Sequence, residues 1–310
     1  MKDTFSTYHP LLNMLYFVGV IGVTVFVVHP VILAISLFGG IAYSVLLKGW
    51  KKTVKFNLIF SIPMMLIVAL MNPMFNHYGV TIIGYLHNGN PFTLESCVYG
   101  LVMAMMLVCT MIWFSCYTIV MTSDKFIYLF GKIIPALSLV LSMCLRFVPK
   151  FIREAGVISD GQKCIGRSTE NGSLVKRAKH GITIFSILVT WALENAIETS
   201  DSMKCRGYGE KGRTAFSLYR FDKRDMFMGA SFALTLFGFS KGYTFCQYNP
   251  KIIVKGIPLT AGSLLVYLAF LLFSVLPVVL ELWDRYQWKQ RRKQVEKAEQ
   301  ANYRLWEVQD

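Results

Sequence analysis

The sequence predicts an all-α, polytopic membrane protein with about six transmembrane helices and a helical cytoplasmic insert between the fourth and fifth. Three observations carry this. Of 310 residues, 54% are hydrophobic, and the mean hydropathy is +0.47, well above the range of ordinary soluble domains. Several apolar runs without charge are long enough to cross a bilayer. The basic residues are strongly segregated along the chain, as the positive-inside rule requires.

The chain begins with Tyr8-His9-Pro10 ahead of an apolar run from Leu11 to Val28, and His29-Pro30 opens a second run over residues 31–47. Proline suits the first helical turn, where its missing N–H is not needed, so each His-Pro pair is expected to start a helix. Placing these histidines at helix starts is preferred over a ligand role. No small-residue cleavage site follows the first run, and its leader carries only Lys2, so an uncleaved span is expected rather than a signal peptide.

Lys48, Lys51, Lys52 and Lys55 crowd the next loop and mark the cytoplasmic side. The third span, Phe56 to Met71, should kink at Pro63. The loop from Asn72 to Ser96 has no Lys or Arg and is expected outside. A fourth span, Cys97 to Met121, returns the chain inward, and residues 123–224 then carry 17 Lys/Arg. Two more spans, Met226 to Phe239 with its flanks and Ile257 to Trp283, enclose an external loop with only Lys241, Lys251 and Lys255. On this assignment 29 of the 32 basic residues lie inside and both termini are cytoplasmic. The charge of +14 is thereby explained by topology and anionic headgroups, without nucleic acid.

The expected organisation is four N-terminal spans (1–122), a cytoplasmic insert (123–224), two C-terminal spans (225–284) and a basic tail (285–310). Within the insert, the apolar runs Ile133 to Pro149 and Ile182 to Ala196 are each shorter than an ordinary span and are closed by charge. They read as helices lying at the membrane surface, with a re-entrant or spanning pair as the alternative. In the second, Leu188, Val189, Ala192, Leu193 and Ala196 form the stripe of a packed face, and Glu194, Glu198 and Asp201 form a polar ridge. That helix ends at Met203-Lys204-Cys205-Arg206-Gly207, where glycine is a natural cap. Two readings stand here: a capped helix end, or an arginine projected into a partner's groove, for which its planar fork is suited. About forty residues earlier, Gln162-Lys163-Cys164-Ile165-Gly166-Arg167 ends the first helix in a comparable way.

The succession LRFVPKFIREA (145–155), GQKCIGR (161–167) and WALENAIETSDSMKCRGYG (191–209), followed by Arg213-Thr214, resembles the transmembrane T component of energy-coupling factor (ECF) transporters over nearly the whole chain. The resemblance implies two Ala-Arg-Gly-type motifs at the ends of cytoplasmic coupling helices. The second is matched by Met203, Lys204, Cys205, Arg206, Gly207 and Arg213, with Cys205 in place of alanine. The first is degenerate: Cys164-Ile165-Gly166 lacks the arginine, and Lys163 and Arg167 are its nearest cations. Arg146, Pro149, Glu194 and Glu198 are the expected supports of the coupling helices. The resemblance further implies a bacterial cell membrane, two ABC-type ATPase subunits that bind ATP and Mg, and a separate substrate-binding S component that takes up a vitamin or a metal ion such as cobalt or nickel.

The chain carries no phosphate-loop motif of the G-x-x-x-x-G-K-[ST] type, so no cofactor is expected on it and ATP would be hydrolysed by partners. Its five histidines, at positions 9, 29, 77, 87 and 180, are dispersed, and its seven cysteines include no C-x-x-C, so neither a catalytic constellation nor a metal site is expected. The alternatives are a self-contained secondary transporter or channel, which should show inverted repeats and polar residues at mid-membrane, and a membrane-embedded enzyme using Glu194, Glu198 and Asp201.

Overall fold

A computed structural model describes residues 3–76, 79, 81–85, 91–131, 134–167, 173–208, 210, 219–242 and 261–307 of the chain; for 135–137, 241, 242, 298 and 300–307 only the backbone is described. The chain divides into two compact units, residues 1–122 with 219–310, and residues 123–218.

The first unit is built from α1 (Pro10–Phe26), α2 (Pro30–Lys48), α3 (Trp50–Phe56), a π-helical turn (Asn57–Ser61), α4 (Ile62–Phe75) and α5 (Leu94–Val120), with two helices numbered below in chain order. Both His-Pro pairs start helices, with Pro10 and Pro30 in the first turn. The His9 side chain accepts from the Leu11 amide at 3.3 Å, satisfying an N–H that the helix leaves unpaired. Just before Pro63, where a kink is expected, the structure has a π turn: Ile62 N–H reaches back five residues to Asn57 O, and the helix resumes in α register with the proline in its first turn. Between α4 and α5 the chain forms a small antiparallel hairpin, β1 (Ile82–Tyr85) with β2 (Pro91–Thr93), in which Ile82 faces Thr93. Glu95 fastens it, its Oε1 accepting from the Thr81 amide at 3.1 Å and hydroxyl at 2.7 Å.

The second unit holds α6 (Ser123–Gly131), α7 (Pro135–Cys164) and α8 (Leu174–Cys205). The chain then returns to the first unit with α9 (Lys223–Gly242) and α10 (Ala261–Glu307), a single helix of 47 residues.

The core of the first unit is aromatic. Phe5, Tyr16, Phe17, Tyr43, Trp113, Phe232 and Phe273 are all at most 4% exposed and meet edge-on or tilted, with ring centroids of Tyr16 and Phe273 at 5.0 Å. Two of its buried ring donors find partners inside the protein, as lipid favours: Tyr16 Oη donates to Ser274 O at 3.1 Å, and Trp113 Nε1 to Ser36 Oγ at 3.0 Å. Two glycines on α2 permit close helix approaches. A Cβ on Gly39 would run into Ser274 Oγ on α10, and one on Gly40 would stand 3.1 Å from Ile112 on α5.

Among the described residues, five helices are long and apolar enough to cross a membrane: α2, the α3–α4 stretch, α5, α8 and α10. Four of the six expected spans are in this set. The helix α1, with 17 residues, is the shorter apolar one, and α9 is absent from the set; its first turn holds Lys223, Arg224 and Asp225. By contrast α8, expected to be too short, qualifies on length and composition. Its apolar middle is extended by Lys, Arg and Glu, which are good helix formers, into one 32-residue helix. Residues 257–260, at the expected start of the last span, lie outside the described residues, as does all of the connection between α9 and α10, residues 243–260.

Candidate functional site: the paired ends of α7 and α8

Helix α7 packs along α8 through aromatic and cationic side chains. Phe151 stacks on Phe147, with ring centroids 5.9 Å apart, and meets Trp191 edge-on at 5.8 Å; the Lys150 ammonium lies 5.1 Å over the Trp191 ring and also donates to Asn195 Oδ1. These contacts rotate the buried face away from the expected stripe. From Leu188 onward the half-buried positions of α8 are Leu188, Trp191, Ala192, Asn195, Thr199 and Met203, whereas Val189 and Leu193 are 41% and 63% exposed. The large indole at Trp191, with its partners on α7, decides the face over the smaller aliphatic residues. Glu194 and Glu198 stand exposed, and so do Arg146 and Pro149 on α7, which continues as a helix through the proline. Met143 and Phe147 of α7 and Ala196, Thr199, Ser200, Met203, Lys204 and Tyr208 of α8 and its cap line a mainly apolar groove.

Both helices end in the same way. In α7, Gly166 adopts φ +76°, its amide donates to Lys163 O at 3.0 Å, and Arg167 N–H donates to Gln162 O at 2.9 Å. In α8, Gly207 adopts φ +71°, its amide donates to Lys204 O at 2.9 Å, and Tyr208 N–H donates to Met203 O at 3.0 Å. Each is a complete Schellman cap, and each depends on glycine because the left-handed backbone brings a Cβ against the carbonyl.

The caps fix a correspondence that the sequence leaves open. Gln162 matches Met203, Lys163 matches Lys204, Cys164 matches Cys205, Ile165 matches Arg206, and Gly166 matches Gly207. Upstream, Asp160 lies 3.7 Å from Lys163, and Asp201 3.6 Å from Lys204. The two ends therefore share the pattern Asp-x-x-Lys-Cys-x-Gly, repeated at a separation of 41 residues. The two aspartates are the members missed by reading the sequence for cations and glycine alone; a self-comparison at this spacing finds them. The difference is the cap residue itself, isoleucine in one and arginine in the other, both exposed. Lys163 and Arg167 thus stand two residues either side of the position that Arg206 fills in α8. Arg213 lies outside the described residues. Among the described residues, no cluster of His, Cys, Asp or Glu could hold a metal ion.

No family model matches the chain. Individual proteins do. The energy-coupling factor transporter transmembrane protein EcfT of Lactobacillus helveticus is 38% identical over 99 residues, 32% of this chain and 36% of that protein. The chain is a relative of the EcfT transmembrane proteins. EcfT of Brevibacillus brevis is 39% identical over 99 residues, 31% of this chain and 37% of that protein, and EcfT of Acidaminococcus fermentans is 30% identical over 148 residues, 44% and 55% of the two chains. The match to the first two EcfT proteins spans little more than a third of their length.

Proposed function

We propose that this chain is the membrane-embedded coupling subunit of an ECF-type importer, a non-catalytic component driven by two partner ATPases. The capped ends of α7 and α8 engage one ATPase each, and ATP-driven movement of those subunits is passed through the helices to an S component that admits a vitamin or metal ion. The chain sits in a bacterial cell membrane with both termini and the α7–α8 unit cytoplasmic. The observation that carries the reading is the duplicated Asp-x-x-Lys-Cys-x-Gly end in two identical caps, one of them presenting the exposed Arg206. A pair of matching ends suits a pair of similar partners, and the kinship with EcfT proteins points the same way. Arg206 stands at the α8 C-terminus, where its charge suits the helix dipole and its guanidinium is free to bond carboxylates or carbonyls of a groove.

The test is affinity purification of the tagged chain from its native membrane in mild detergent. Two ATPase subunits should accompany it, and Arg206→Glu should weaken their retention at least tenfold, about 1.4 kcal/mol or more, while membrane insertion is unchanged. A chain that purifies alone and transports substrate in liposomes unaided overturns the proposal.

A further inference from the structure

The polar stretch of α10 and the short helix α3 each carry a basic cluster, and α10 is tied to the end of α2 from which α3 starts. Arg285 Nη2 donates to Leu46 O at 3.4 Å, so this turn of α10 lies against the end of α2, two residues before Lys48. Along α10, Lys289, Arg292 and Lys293 follow Arg285 at the three- and four-residue intervals that stack side chains on one helix face. From the end of α2 the chain turns into α3, which carries Lys51, Lys52 and Lys55. All six of these cations are exposed. Residues 48–55 and 284–293 together hold nine Lys/Arg and one acid, Asp284, which already accepts from the Thr4 hydroxyl at 3.0 Å. Lys48 is committed to Ser115 Oγ and the Phe56 ring, and Arg285 to Glu281 Oε1 at 2.8 Å.

Large aromatic residues stand among these cations: Trp50, Trp283, Tyr286 and Trp288 are 69%, 65%, 61% and 56% exposed. Exposed indole and phenol rings where an apolar helix turns polar form the belt that sits at headgroup level. The helix runs unbroken from its apolar part, so Lys289 rises only about 10 Å and Lys293 about 16 Å beyond Leu282. From Leu282, Lys289 thus stands little more than one Debye length away, about 8 Å at physiological ionic strength, and Lys293 about two.

We propose that this surface is a binding site for anionic phospholipids, the α3 lysines and the α10 ridge gripping headgroup phosphates while the aromatic rings lie among the acyl–headgroup boundary. An acidic protein or a nucleic acid would have no use for an aromatic belt continuous with a span. Juxtamembrane clusters of this size attract anionic leaflets, at about 1 kcal/mol per cation; two such clusters, one on α10 and one following the end of α2 that α10 contacts, make a defined site instead of a diffuse bias. The proposal is independent of the coupling role.

The test uses the full chain in nanodiscs of phosphatidylcholine with rising fractions of phosphatidylglycerol, counting tightly retained lipids by native mass spectrometry and following the thermal midpoint. Phosphatidylglycerol should be retained at least tenfold over phosphatidylcholine and raise the midpoint, with the effect weakening in high salt. Lys51→Gln/Lys52→Gln/Lys55→Gln and Lys289→Gln/Arg292→Gln/Lys293→Gln should each remove most of the preference, while Lys176→Gln/Arg177→Gln/Lys179→Gln on α8 keeps it. Unchanged melting in pure phosphatidylcholine shows that the variants fold. Equal retention of both lipids, or full preference in both surface variants, overturns the proposal. So does competition by inorganic phosphate at the lipid's own concentration, or capture of an acidic polypeptide with no response to phosphatidylglycerol.

Discussion

Asp3 is held in an unusual setting for a residue near a chain end. Tyr43 Oη donates to its Oδ2 at 2.6 Å, Thr4 N–H donates to Glu281 Oε2 at 2.8 Å, and Phe5 is fully buried in the aromatic core. The first turn of the chain is thereby pinned to α2 and α10. Burial raises the Asp3 carboxyl to about 6 from its ordinary 3.8; the Tyr43 hydrogen bond opposes this, and the nearby Glu281 carboxylate adds to it. Because the folded state holds this proton more tightly than the unfolded chain, the contribution is fully present below about pH 3.8 and is lost as pH rises through about 6. Asp3→Asn should flatten the pH dependence of the thermal midpoint between pH 4 and 7 and leave the protein more stable than wild type at pH 7, by about 3 kcal/mol at most. An unchanged pH profile in detergent-solubilised Asp3→Asn protein counts against a buried, proton-retaining Asp3. Nothing local in Met1 to Ser6 signals this; it follows from what α2 and α10 bring to the site.

At the scale of elements, the α2–α10 crossing is the tightest contact between described helices that depends on glycine. Gly39→Val would drive its branched side chain into Ser274, whose backbone oxygen already stands 3.3 Å from where even the Cβ would lie. The helices must part, at a cost of about 1–3 kcal/mol, seen as a lower thermal midpoint in detergent; a midpoint equal to wild type would mean that this crossing does not fix the packing. Helix starts and the irregular turn before Pro63 were legible in the sequence, because Pro10, Pro30 and Pro63 act through their own rings on the adjoining backbone. The hairpin and the buried face of α8 were not. The hairpin rests on Glu95 reaching back to Thr81, and the face of α8 is set by Trp191 meeting Phe151 and Lys150 across a helix pair. The candidate site was half legible: Arg206-Gly207 stands out by itself, whereas the equivalence of Ile165 with Arg206 needs the two caps.

For the molecule as a whole, topology yields a prediction that uses its own cysteines. Cys164 and Cys205 are exposed at the two helix ends, while Cys109 and Cys116 are buried in the first unit. If the α7–α8 unit is cytoplasmic, a membrane-impermeant maleimide should label Cys164 and Cys205 in inside-out vesicles and leave both untouched in right-side-out ones. Labelling of either from outside would invert the assignment. The membrane class, the helix starts, the charge asymmetry along the chain and the likeness to EcfT proteins are all legible in the sequence. These follow from composition, from local backbone chemistry and from counts along the chain, none of which needs to know what lies nearby in space. Only packing shows which residue of α7 stands where α8 has its arginine, which acids hold the first turn, and that α10 meets the end of α2 from which the α3 lysines follow. Each of these is a relation between residues distant in sequence, fixed only when packing brings their backbones together.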